Sequence, residues 1–61
     1  MTGELYKLLL GALDTEEAVE LWLDTPNPLF DGFTPYYLVF TGQAEKVLNK
    51  VLNHIEEGNT L

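Results

Sequence analysis

Three prolines, at positions 26, 28 and 35, crowd the middle of this 61-residue chain. A proline in a helix interior removes a hydrogen bond and collides with the preceding turn, at a cost of about 3 kcal/mol. It also biases the residue before it toward extended geometry. No regular helix is therefore expected to run through the centre, and helical structure must lie in pieces on either side. The stretch between reads Thr25-Pro26-Asn27-Pro28-Leu29-Phe30-Asp31-Gly32-Phe33. It combines turn-forming residues with three large apolar side chains that a flexible linker has little use for. We read it as an ordered Pro-rich turn, with Pro28 opening one helical turn from its first position.

On the N-terminal side, Leu5, Leu8 and Leu9 share one helical face. The spacing predicts a helix over residues 3–10, with Thr2 as its N-cap and Gly11 as its C-terminal glycine. A second helix is predicted to start at Asp14, answered by Glu17 three residues on in a capping box. Glu16 and Glu17 also suit the positive end of the helix dipole, and Pro26 should stop the helix near Asp24. Past the turn, Thr34-Pro35 again reads as an N-cap followed by proline at the first helical position. A short helix should follow through about Phe40, apolar or aromatic on every side. Residues 36–41 also suit a strand, but a lone strand has nothing to pair with.

The last helix is the clearest. Ala44, Val47, Leu48, Val51, Leu52 and Ile55 form one continuous apolar face. Thr41 or Gly42 is expected to cap it and Gly58 to stop it. Its outer side has little ion-pair support, since Lys46 and Lys50 are like charges one turn apart, so the helix depends on burying its inner face. The expected fold is all-α: one small compact bundle of about four helices over residues 1–61.

A domain of this size buries only about 60% of the surface its unfolded chain exposes. With no Cys and one His, neither a disulfide nor a zinc site is at hand as a staple. An apolar content of 46% in so short a chain points instead to oligomerisation or a bound partner. Ten carboxylates against three lysines, with no Arg, give a formal charge of −7. Such a surface repels phosphate, which disfavours nucleic acid and anionic membranes. It favours a basic protein partner, although solubility alone also accounts for it. No apolar run reaches the roughly 20 residues of a membrane span. Residues 1–10 lack the basic and apolar regions of a signal peptide, and the absence of Cys fits the cytoplasm.

Catalytic chemistry is scarce. There is no Ser or Cys nucleophile, Gly32 and Gly42 stand alone rather than in a phosphate loop, and the chain is not expected to be an enzyme or to carry a cofactor. The sole His54, near the end of the last helix, suits the negative end of the dipole. Asp14, Glu16, Glu17 and Glu20 look like a charged first turn more than a metal-coordinating loop. The aromatics are more suggestive. Trp22, Phe30, Phe33, Tyr36, Tyr37 and Phe40 are many for a small core, and those left outside it would form a binding surface. Phe33, Tyr36 and Tyr37 are the candidates. A purely structural role for all six is the alternative.

The segment Trp22-Leu23-Asp24-Thr25-Pro26-Asn27-Pro28 resembles the toxin-binding domain of Xre/MbcA/ParS-type antitoxins. That pattern reads Trp-Leu, Pro-Asn-Pro, an apolar residue and Gly, then Pro, and an amphipathic helix ending Ile-Glu-x-Gly. The matching positions are Trp22, Leu23, Pro26, Asn27, Pro28, Leu29, Gly32, Pro35, Val47, Leu48, Ile55, Glu56 and Gly58, within residues 13–58. The resemblance implies a helical domain that embraces a RES-type toxin, an enzyme that degrades NAD, and covers its active-site cleft. By that analogy the last helix, with His54, and the tail Glu57, Gly58, Asn59, Thr60 and Leu61 contact the toxin. Family members usually carry an N-terminal helix-turn-helix domain. About a dozen residues precede the match here, so no direct DNA binding is expected. The aromatic Phe33 and Tyr36-Tyr37 depart from the family pattern. Two other functions fit the composition: an acidic mimic of nucleic acid that inhibits a DNA-handling protein, and a homo-oligomeric structural domain.

Overall fold

Each helix offers the interior a pair of apolar side chains about one turn apart, and the fold is the way these pairs meet. The computed structural model describes residues 3–61; the expected cap Thr2 lies outside them. The elements are α1 (Gly3–Leu13), α2 (Glu16–Asp24), a single 3₁₀ turn (Pro28–Phe30), α3 (Pro35–Phe40) and α4 (Ala44–Glu56). Among the described residues there is no strand, so the region over residues 36–41 is not extended. The all-α bundle of four helices around a Pro-rich turn is the fold observed.

Leu5 and Leu9 of α1, Val19 and Leu23 of α2, Leu38 of α3, Val47 and Val51 of α4, and Phe30 of the turn are buried together. Pro35 is buried as well. The principal packing partners are α1 with α2, α2 with α3, α3 with α4, and α4 back with α1, a closed ring. Its radius of gyration is 10.4 Å, what a folded chain of this length should have at about 10.5 Å. The predicted face of α4 is the one that packs, with Leu52 at its margin.

The ends of three helices differ from expectation. α1 does not stop at Gly11 but runs on to Leu13. A glycine inside a helix costs only about 1 kcal/mol, and continuing lets Leu13 pack against the core. The stop falls instead on Asp14, in the left-handed region at φ 73°, where Asp is better tolerated than a β-branched residue. Asp14 is therefore not the cap of α2. Thr15 is, its hydroxyl oxygen accepting from the Ala18 N–H at 3.1 Å. That moves Glu17 to the second helical position, out of register for a capping box.

At α4 the cap is Gln43, without a side-chain hydrogen bond, rather than Thr41 or Gly42. Those two residues are taken up in ending α3. The Thr41 hydroxyl donates to the Tyr37 carbonyl at 2.9 Å. Gly42 sits at φ 83°, its N–H donating to Val39 and that of Gln43 to Leu38, a Schellman motif. α4 closes in the same way. Gly58, at φ 87°, donates to Ile55, and Asn59 donates to His54.

The Pro-rich turn is built around Asn27. Its side-chain Oδ1 accepts from the Leu29 N–H at 3.0 Å. Its carbonyl accepts from both Phe30 and Gly32, and its N–H donates to Phe33 at 3.1 Å. One residue thus ties together a loop whose flanking prolines cannot donate. The loop then turns through Asp31 and Gly32, both left-handed at φ 57° and 87°. As expected, Pro28 and Pro35 take first helical positions, and Thr34 caps α3 by accepting from Tyr37 at 3.1 Å.

Candidate protein-binding surface

α3 has six residues and only one of its sides can face the bundle. Pro35 and Leu38 take that side. The remaining aromatics are therefore turned outward: Phe33 just before the helix, then Tyr36, Tyr37 and Phe40, all between 49% and 83% exposed. They form two pairs at four-residue spacing, which brings side chains together along a helix. Phe33 and Tyr37 stack nearly parallel with ring centroids 5.1 Å apart. Tyr36 and Phe40 lie 6.4 Å apart and tilted. Of the other aromatics, Phe30 is in the core and Trp22 meets it edge-on at 6.2 Å, partly buried. The open question of core against surface thus divides: Trp22 and Phe30 pack inward, and four rings stand in solvent.

The two pairs border different hollows. Tyr36 and Phe40 flank a cleft of about 530 Å³ between α2 and α3. Val19, Leu23 and Val39 contribute its apolar lining, Tyr6 reaches it from α1, and Glu20 and Asp24 supply its charge. On the other side, Phe33 and Tyr37 border a hollow of about 280 Å³ that also takes in Lys46 and Lys50 of α4 and Asp31 of the turn. The Tyr6 hydroxyl is held above its ordinary pKa of 10.0, first by partial burial and then by the Glu16 carboxylate, with Glu20 adding to it.

The proposed tail contacts lie at the far end of α4. His54 Nε2 is 3.1 Å from the Thr60 carbonyl, and since a carbonyl only accepts, the ring nitrogen donates. Leu61 packs partly buried against the core. Glu57, Asn59 and Thr60 are exposed. The residues Trp22, Pro26, Asn27, Pro28, Gly32, Pro35 and Gly58 belong to the turn, to helix ends and to the inner packing rather than to the exposed ridge.

Two exposed side chains were not singled out from the sequence. Phe40, the most exposed at 83%, extends the ridge, and Leu21 is 70% exposed on α2. The i, i+4 relation of Tyr36 to Phe40 was a usable signal for the first. Leu21 lies two residues from both Val19 and Leu23, and so on the opposite side of α2 from its core face. Among the described residues no helix is long and apolar enough to cross a membrane. Comparison with protein-family models, with curated proteins and with solved structures found no match to this chain.

Proposed function

We propose that this chain is a protein-binding module of the antitoxin type, acting in the cytoplasm on a RES-type, NAD-degrading toxin by covering its active-site cleft. The observation that carries the binding part is the ridge of Phe33, Tyr36, Tyr37 and Phe40, standing in solvent on a fold too small to need them inside. Aromatic rings of this kind supply much of the energy of protein interfaces. The choice of toxin rests on the Trp-Leu and Pro-Asn-Pro resemblance. The acidic charge supports it, because a cleft that takes a phosphorylated cofactor should be basic. The tail supports it too: its exposed Glu57, Asn59 and Thr60 are presented by a closed helix end rather than by a loose strand of chain.

The test is co-expression with the product of the adjacent gene, purification through a tag on one partner, and measurement of growth and cellular NAD. Co-purification with restored growth and NAD is the expected result. No complex and no rescue would reject the toxin and leave only a likeness of fold. Replacing the exposed side chains of Glu57, Asn59 and Thr60 by Ala should weaken inhibition while leaving the helical circular dichroism in place; full inhibition by that variant would reject a tail-in-cleft mechanism.

A further inference from the structure

The cleft between α2 and α3 has a composition of its own. Its inner surface is apolar, from Leu23 and Val39, and Tyr36 and Phe40 offer exposed rings on one flank. Glu20 and Asp24 lie one helical turn apart on the other flank, and no lysine lines it. The neighbouring hollow, by contrast, includes Lys46 and Lys50.

We propose that this cleft docks a segment of a protein partner in which Lys or Arg lies beside a large apolar side chain, as on the border of a basic amphipathic helix. The apolar side chain fills the space over Leu23 and Val39. The cation lies against Glu20 and Asp24, within reach of an aromatic face of Tyr36 or Phe40. Charge selects this occupant over the others. A second copy of the chain could offer only its own Lys46 and Lys50, which lie in a hollow that also takes in Asp31, and would bring them on a body of net charge −7, so a partner of positive net charge is the better match. A nucleic acid or an anionic lipid surface would meet the same repulsion. The proposal rests on the reading of the chain as a protein-binding module and is independent of which protein it neutralises.

The experiment is selection from a random-peptide library against the whole chain, followed by synthesis of the selected peptides, affinity measurement at low and high salt, and amide-shift mapping. The expected peptides place Lys or Arg within one helical turn of Leu, Ile, Phe or Trp. They should bind less tightly as salt rises and shift the amides of Leu23, Val39 and Phe40. The double variant Glu20→Lys with Asp24→Lys should weaken them about tenfold, and a Lys-to-Glu peptide should regain affinity for that variant. Both positions are exposed, and a cation in the last turn of α2 suits its dipole, so the variant should fold. Failure to select any peptide, selection without basic residues, or shifts confined to α4 or to the Phe33–Tyr37 side would overturn the proposal. Peptide binding in the cleft combined with failed toxin rescue would keep the proposal and remove only the toxin.

Discussion

The two sides of α3 are built from the same materials and finish differently. Each side has a pair of aromatic rings at four-residue spacing. On the Tyr36–Phe40 side the neighbour is α2, which contributes Glu20 and Asp24. On the Phe33–Tyr37 side the neighbour is α4, which contributes Lys46 and Lys50. The rings also differ in their own packing, tilted on the acidic side and stacked on the basic side. A chain with a net charge of −7 therefore has one hollow that takes in two of its three lysines, and net charge alone would have hidden it. The larger, acidic cleft is suited to a basic segment; the smaller hollow already has cations of its own.

This comparison can be broken most severely from beneath. Leu38 is 5% exposed at the inner side of α3, and Leu38→Ala should cost about 2–5 kcal/mol. In urea denaturation the loss should appear as a lower midpoint, with ring contacts on both sides weakened together. Retention of one side at native strength would mean that the two are supported separately. The next effect should fall on the basic side. Asn27→Ala removes the oxygen that accepts from Leu29 and should cost about 1–2 kcal/mol, as loss of a cap does. Because the turn borders only the smaller hollow, amide shifts should concentrate at residues 27–33 and leave Glu20 and Asp24 near their native positions.

A finer contrast comes from double-mutant cycles on the two ring pairs. Phe33→Ala with Tyr37→Ala should show a coupling of about 0.5–1 kcal/mol, and Tyr36→Ala with Phe40→Ala a smaller one, because the second pair is farther apart and more exposed. Equal couplings would erase the distinction between stacked and tilted sides. The smallest effect belongs to Tyr6, at the acidic cleft. Its folded pKa is raised above 10.0, so the folded state holds this proton more tightly than the unfolded one. The associated stability is fully present below pH 10.0 and is lost as pH rises from there through the folded value. Tyr6→Phe should flatten the fall in thermal midpoint over that alkaline window.

Much of the fold was legible because its signals are local. The apolar face of α4, the stop of α2 before Pro26, the Thr34-Pro35 start of α3 and the glycine stop at Gly58 each depend on residues within a turn or two of one another. The candidate surface was half legible. Phe33, Tyr36 and Tyr37 were picked out by residue type, while Phe40 and Leu21 were not, since exposure depends on which side of a helix the rest of the bundle covers. The helix ends were the weakest reading. Asp14 and Thr15 are adjacent, and both residue types are good caps. Which one caps is settled by how far α1 runs, and that is settled by the place Leu13 finds against the core.

The sequence by itself determined that this chain is helical, acidic, broken in the middle by proline and rich in aromatic residues, because propensity, charge and backbone restriction act residue by residue. Only the tertiary structure decided which rings turn outward, which carboxylates border the larger cleft and where the lysines are kept. Those outcomes depend on which helices become neighbours, and neighbours distant in the chain are chosen by the burial of the whole.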